Sequence, residues 1–401
     1  MAPKRTVSAL LLAASVSTLA TSASARTVPA RAAEGSSADS NVTDTARGTD
    51  AFGEDVAISG STIVVGDEDH NNRGYVYEFA PVGLGWQLAG EQSSSNGFGF
   101  SLAGSGPNLA VGSYSGRAYV YAHADHGWHM TAALKSGTGD DDWYFGLSVA
   151  LSGATLAATA DREPLNGGQI VVFTAGRTGW TQTAKFDDPD IRRYSIFGDA
   201  AISGHTMVVG DVQGASGQGR AYVYTDGPTG WARTAELVDS DGQKDTFGGL
   251  VAISGNTIVV GDPTYAYGRG QVYVFTETAT GWHQTAELEG LNTTVGDQFG
   301  SDVGISGSTI VVGAADSEGL RGTAYVFDKT GSSWEQIAEL NPSDTIAKSF
   351  FGTAVAISST TIVVGTFGVS SLTPPWRAGA YVYAKTVSGW HLVTVLHRPN
   401  K

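Results

Sequence analysis

The dipeptide Phe-Gly recurs seven times along the chain, at Phe52-Gly53, Phe98-Gly99, Phe145-Gly146, Phe197-Gly198, Phe247-Gly248, Phe299-Gly300 and Phe351-Gly352. A tryptophan keeps the same count, at Trp86, Trp128, Trp180, Trp231, Trp282, Trp334 and Trp390. Two independent markers therefore define one repeat of about fifty residues. Residues 247–288, FGGLVAISGNTIVVGDPTYAYGRGQVYVFTETATGWHQTAEL, show its parts in order. These are Phe-Gly, a small-residue apolar run, a Ser-Gly-Asn turn, Ile258-Val259-Val260, a loop, Val272-Tyr273-Val274-Phe275, a polar turn, and a strand opened by Trp282. Four short strands per unit at this period are the signature of a propeller blade, and seven such units close a ring. The expectation is an all-β fold, a seven-bladed β-propeller with four antiparallel strands per blade, over residues 49–397.

The residue types suit that packing. Blades stack face against face, so both sides of a strand are covered, and continuous apolar runs such as Ile-Val-Val and Tyr-Val-Tyr replace the alternation of a half-exposed sheet. Small residues suit the crowded axis, and a large one such as Trp fills the wedge that opens toward the rim.

Ahead of the repeats, Met1-Ala-Pro-Lys-Arg5, the apolar stretch Val7 to Leu19 and Ala23-Ser24-Ala25 have the layout of a secretory signal peptide over residues 1–25. Residues 26–48 hold almost no large apolar side chains and read as a flexible leader. A soluble, secreted protein with no membrane span is expected, monomeric by default. The chain has no cysteine, so the fold must rest on burial alone, which a closed core of this size permits. A formal charge of −15 argues against nucleic acid and anionic membranes as partners.

In a four-stranded meander the 1–2 and 3–4 turns share one face of the ring, and the 2–3 and 4–1 connections share the other. The first set is short and monotonous, mostly Ser-Gly-x and Gly-Trp; the second varies in length and chemistry, as in 66–74, 135–144, 186–196, 261–270 and 365–379. Variable loops on a rigid scaffold are where binding usually resides. Of the 8 histidines only His70 reaches that face, and there is no Cys, so a nucleophile–histidine pair or a histidine-built zinc site has little to be made from. Carboxylates and aromatics are plentiful there. Asp67, Asp211 and Asp262 follow the second-strand glycine and are expected around the channel mouth, with Asp69, Asp140, Asp142, Tyr114, Trp143, Tyr144, Tyr194, Tyr265 and Trp376 on the same face. Rings beside acids suit a sugar, whose apolar face covers the ring while carboxylates accept hydroxyl protons; equally, such side chains cover loop backbone. The partner class is a glycan or a protein. The alternative reading is a polysaccharide lyase or glycoside hydrolase on that face, with Tyr144 or Tyr194 shuttling a proton and Arg192 or Arg193 neutralising a uronate.

Through Phe-Gly, Val-Ala-Ile-Ser, Ile-Val-Val-Gly and Ala-Tyr-Val-Tyr, residues of about 50–396 resemble the FG-GAP repeats of integrin α-subunit heads and of bacterial exported proteins. The resemblance implies a propeller, with calcium loops in some blades, and says little about activity. Those loops lie between the first two strands in the family, where this chain has tight Ser-Gly turns. One fragment survives elsewhere: in Asp239-Ser240-Asp241-Gly242-Gln243-Lys244-Asp245, the carboxylates of Asp239, Asp241 and Asp245 could hold calcium, and an ordinary Asp/Gly turn explains the stretch as well. The repeat order also ends with a complete fourth strand, so the last blade needs no strand from the N-terminus, and side-chain packing of blade one on blade seven is expected to close the ring. Deleting residues 26–45 should accordingly leave the thermal unfolding midpoint unchanged; a large drop would mean that the leader supplies an edge strand.

Overall fold

Each copy of the repeat folds as a meander of four antiparallel strands, and the seven sheets occupy residues 56–95, 98–134, 149–187, 197–237, 250–288, 299–340 and 354–397. The computed structural model describes residues 49–399 apart from 71–72, 84, 96, 125–126, 138–143, 162–167, 190–196, 213–216, 241, 243–245, 344–348 and 370–377. Blade five is representative, with strands Leu250–Ser254, Thr257–Asp262, Gln271–Thr278 and Gly281–Leu288. Its second strand, Thr-Ile-Val-Val-Gly-Asp, is buried at every position, as a strand covered on both faces must be.

Seven apolar clusters hold the ring, and each joins one blade to the next. Val208, Val223 and Leu237 of blade four meet Val251, Ile258 and Tyr273 of blade five, for example. The closing junction is built alike: Phe52, Ile63 and Tyr77 of blade one pack on Val363, Val382 and Leu396 of blade seven. All four strands of blade seven come from residues 354–397, as the order of the repeats predicts. Closure has two polar supports besides packing. Thr49–Asp50 pairs with Gly368–Val369 in a small antiparallel sheet. Arg398 grips Asp67 through both guanidinium arms, at 2.6 and 2.9 Å across 331 residues of sequence.

The Phe-Gly dipeptide lies in these junctions. All seven phenylalanines are buried, each against aromatic rings of its own third strand, as Phe299 is against Tyr325 and Phe327. The glycine that follows has φ between 87° and 97° in six of the seven copies, a region that glycine enters freely. Its carbonyl meets the second-strand glycine of the preceding blade so closely that no side chain fits. A methyl group at Gly66, Gly210, Gly313 or Gly365 would stand 2.3, 1.7, 1.9 or 2.0 Å from the carbonyl oxygen of Gly99, Gly248, Gly352 or Gly53 respectively. Hydrogen bonds complete the staple: the Phe351 N–H donates to Arg321 O of blade six at 3.0 Å, and the Gly352 N–H to Gly365 O of its own blade at 3.1 Å. The third junction, between blades three and four, departs as a pair. Thr159 replaces the second-strand glycine of blade three, and Gly198 opposite is the one Phe-Gly glycine outside the left-handed region.

The monotonous face also has a structural use. The hydroxyls of Ser105, Ser152, Ser203 and Ser254 accept the backbone N–H of Gly153, Gly204, Gly255 and Gly307 in the next blade, at 2.8 to 3.1 Å. Near the start of the first strands, Asp55, Asp199 and Asp302 likewise reach the amides of Leu102, Val251 and Val355 one blade on. One buried charge breaks the repeat: Glu78 stands where the other blades carry Val120, Val172, Val223, Val274, Val326 and Val382. It faces Gly90, where most blades have alanine, and lies 3.1 Å from His123 of blade two. At the rim, Trp128 and Trp390 are buried, while Trp282 and the other repeat tryptophans are only half-buried.

The glycine contacts generate a graded prediction. Gly313→Ala and Gly365→Ala drive a methyl into backbone that cannot yield, and each should cost at least about 3 kcal/mol in urea unfolding. Gly307→Ala, at φ +60° with open space around it, should cost only about 1 kcal/mol. Equal losses at all three positions would contradict the role of close approach.

Candidate functional site

On the variable face the structure first separates buried carboxylates from exposed side chains. Asp67, Asp211 and Asp262 are wholly buried on their second strands, the last two at the strand ends. Asp67 is bound by Arg398, and Asp262 Oδ1 accepts from the Thr246 and Thr264 amides at 3.2 Å each. These carboxylates hold loops and the tail in place and do not face outward, because a charge leaves water only where donors compensate it. Asp239 is also turned inward, accepting the Gly242 amide at 2.6 Å to close its turn. Asp241 and Asp245 lie outside the described residues, and among the described residues no group of three or more His, Asp or Glu is arranged to hold a metal ion.

The expected aromatics are differently placed. Tyr114 is half-buried with its edge on Phe100, at a centroid distance of 5.9 Å, and fills space that only Gly97 leaves open. Tyr144 precedes Phe-Gly with φ 65°, as Gln298 and Phe350 do in their blades with φ 56° and 46°. Tyr265 is half-buried beneath the Arg269 guanidinium, which also pairs with Glu289 at 3.0 Å. Asp140, Asp142, Trp143, Tyr194 and Trp376 lie outside the described residues, as does the side chain of Asp69.

The structure brings together a corner that the sequence reading did not assemble, where blades five and six meet. The blade-five 2–3 connection makes a tight turn at Tyr265–Gly268, in which Ala266 (φ 49°, ψ 53°) and Tyr267 (φ 62°, ψ 37°) are both left-handed. Two consecutive non-glycine residues there cost roughly 1–2 kcal/mol each. Blade six repeats the turn at Ser317–Leu320, with Gly319 at the position that corresponds to Tyr267. The strain in blade five supports a fully presented side chain: Tyr267 is 92% exposed. The turn is fixed from below, since Gly268 O accepts the amides of Gly296 at 3.1 Å and Gln298 at 2.8 Å from the blade 5–6 connection. That connection carries Val295 at 67% and Leu291 at 86% exposure. It is anchored in turn on blade six, through the Leu291 amide on Gln336 and the Tyr325 hydroxyl on Asn292. Tyr267 and Val295 each adjoin one member of the same hydrogen-bonded pair, with Leu291 at the far end of the loop.

Beside this patch lies an acid in an unusual state. Asp316 is 9% exposed, its Oδ2 accepts from Gln298 Nε2, and its Oδ1 has no partner among the described residues. Burial, and then the negative charge of Asp297, push its carboxyl up to about 7. Little in the sequence marks this corner. The aligned loops Asp262-Pro-Thr-Tyr-Ala-Tyr-Gly268 and Ala314-Ala-Asp-Ser-Glu-Gly-Leu320 do show Tyr267 opposite a glycine, and that was the one signal available.

With the geometry in hand, the chain can be set beside known proteins. The FG-GAP repeat family matches residues 231–275, 282–327 and 334–383. Each match begins at a repeat tryptophan and ends in the third strand of the next blade, so the family unit straddles two blades with Phe-Gly inside it. The seven-bladed ring is consistent with an FG-GAP β-propeller. No curated protein matches the sequence. Among solved structures, a chain of the crystal structure of the mitotic checkpoint complex is similar at 14% identity and a TM-score of 0.54, over 84% of this chain and 96% of that one. The crystal structure of Saccharomyces cerevisiae Sqt1 is similar at 10% identity and a TM-score of 0.47, over 88% of this chain and 97% of that one. At 14% identity the checkpoint-complex chain shows the fold alone. No helix among the described residues is long and apolar enough to cross a membrane.

Asp316 supplies a pH test. Its folded pKa of about 7 lies above the unfolded value of about 3.9, so between those limits the folded state holds a proton that the unfolded chain has released. The contribution is complete below about pH 4 and is lost as pH rises to about 7, with a slope of about 1.4 kcal/mol per unit. Urea unfolding at pH 4, 6 and 8 should therefore show Asp316→Asn gaining on the parent as pH rises. Glu78, also raised by burial, slopes the same way in both proteins and cancels in the difference. A gap that does not change with pH would contradict the assignment.

Proposed function

We propose that this seven-bladed propeller, with FG-GAP repeats in its fifth to seventh blades, is a binding or adhesion module that recognises a glycan or a protein through its 2–3 and 4–1 connections. The observation that carries the reading is Tyr267. A left-handed non-glycine backbone that presents a 92% exposed aromatic ring is costly for folding and useful only for contact. Ligand contact is accordingly assigned to exposed side chains of that face, Tyr267, Leu291 and Val295, with half-buried Tyr265 in the same turn and Tyr114 and Tyr144 on the connections of other blades. The buried Asp67, Asp211 and Asp262 support the loops from below. Export to the cell exterior is part of the proposal and rests on the basic, apolar and small-residue order of residues 1–25. A monomer that binds no nucleic acid fits the charge of −15.

An enzyme of the lyase or hydrolase class remains the second reading, on the strength of the tyrosines of this face. The corner itself offers little for such chemistry: its one acid with a raised pKa is buried beneath Gln298, and Arg269 and Arg321 are engaged by Glu289 and Glu318.

Two measurements test the binding reading together. Tyr267→Gly relieves the strained backbone and should leave stability equal to the parent or raise it by up to about 1 kcal/mol. The same change should weaken retention of ligands found by glycan array or protein binding by at least about tenfold. Retention of a polymer with no new reducing or unsaturated ends supports the module. Turnover of that polymer would establish the enzyme, and unchanged binding by Tyr267→Gly would remove this corner from the site.

A further inference from the structure

The chemistry of the corner discriminates between the two partner classes, given that the corner is the binding site. A sugar site needs a flat ring with polar groups converging on it, since a pyranose has one apolar face and many hydroxyls. Here the exposed ring of Tyr267 is accompanied by two branched aliphatic side chains, Val295 and Leu291, which offer a hydroxyl nothing. An exposed tyrosine and valine on two connections joined by the Gly268–Gly296 hydrogen bond, with Leu291 farther along the second, are what an apolar pocket or side chain of another protein would cover.

The charges around the patch lean one way. Among the described residues its two cations are already paired, Arg269 with Glu289 at 3.0 Å and Arg321 with Glu318 at 3.2 Å. Asp297, half-buried, adjoins Gly296 and accepts only from its own loop, at Thr294. Exposed Glu339 has the Asn292 and Asn341 amides as its donors. The local excess is negative, like the chain as a whole at −15. A partner surface that complements it carries lysine or arginine next to its apolar contact.

We infer that the partner of the blade 5–6 corner is a protein segment that sets an apolar side chain against Tyr267 and Val295 and an adjacent lysine or arginine against Asp297. The aliphatic surface explains why a glycan is not the occupant, and the surplus carboxylates explain why a neutral or acidic protein surface is not.

The test is selection of a random linear peptide library on the intact protein, with calorimetry of the recovered peptides against the parent, Tyr267→Gly, Val295→Ser and Asp297→Asn. Melting curves confirm that each variant is folded. The expected result is enrichment of peptides that join Leu, Phe, Tyr or Trp to Lys or Arg. Their affinity should fall about tenfold or more in Tyr267→Gly and roughly threefold in Asp297→Asn, and should weaken as salt is added. Peptides with no basic bias, or peptides that bind Tyr267→Gly as well as the parent, overturn the inference. Failure to recover peptides, together with glycan-array signals that Tyr267→Gly abolishes, overturns the protein partner and leaves the binding face standing. Absence of both peptide and glycan binding defeats the inference and the binding reading alike.

Discussion

The approach of one blade's backbone to its neighbour's, at the Phe-Gly dipeptide, is the contact on which the rest of this protein depends. The phenylalanine is buried within its own blade, and the glycine carbonyl lies against a second-strand glycine of the blade before it. Neither residue can be exchanged freely. A larger group at Gly313 would meet the Gly352 carbonyl at 1.9 Å, and a smaller one at Phe299 would empty the space beside Tyr325 and Phe327. Because the seventh junction, Gly365 on Gly53, is the same contact as five others, the closing seam is not set apart at its staple, and the junction that departs is the one between blades three and four. What the closing junction adds, the Arg398–Asp67 pair and the short Thr49–Asp50 sheet, lies outside that shared arrangement.

A ring held this way frees one face and commits the other. The Ser-Gly turns are tied blade to blade by hydroxyl-to-amide bonds, which accounts for their uniformity without any appeal to a ligand. On the opposite face the connections answer to local anchors only, so their chemistry can differ from blade to blade. Blades five and six illustrate the division. They build the same left-handed turn, yet one places Tyr267 and the other Gly319 at its apex. The tyrosine loses backbone stability relative to the glycine, and its ring is bare to solvent; a fold under selection for stability alone would have the glycine in both places.

The fold was legible because its information is periodic. Seven copies of Phe-Gly, seven tryptophans and the four apolar runs between them specify blade number, strand order and the sorting of turns, and the structure reproduces each. The function of the Phe-Gly glycine was hidden, since a close approach between blades has no signature beyond the absence of a side chain. The site was far less legible. Asp67 could not be seen as engaged because its partner, Arg398, lies 331 residues away. The donors of Asp262, the Thr246 and Thr264 amides, are equally unmarked in the sequence, since they belong to two connections that meet only in the folded ring. Tyr267 and Val295 share a corner through the hydrogen bonds of Gly296 and Gln298 to Gly268, which two adjacent blades must form before they exist.

The central claim is that six equivalent Phe-Gly staples, the closing one included, and one variant between blades three and four make a single cooperative ring that holds the variable face rigid. Native-state hydrogen exchange at the staple amides tests it most directly. The N–H groups of Gly53, Gly146 and Gly352 each donate to the second strand of their own blade, at 2.9, 2.9 and 3.1 Å, and should all exchange only through global unfolding, with a common free energy. Rapid exchange at Gly53 through local opening, with Gly146 and Gly352 still protected, would show that the ring parts between its first and last blades and would contradict the account.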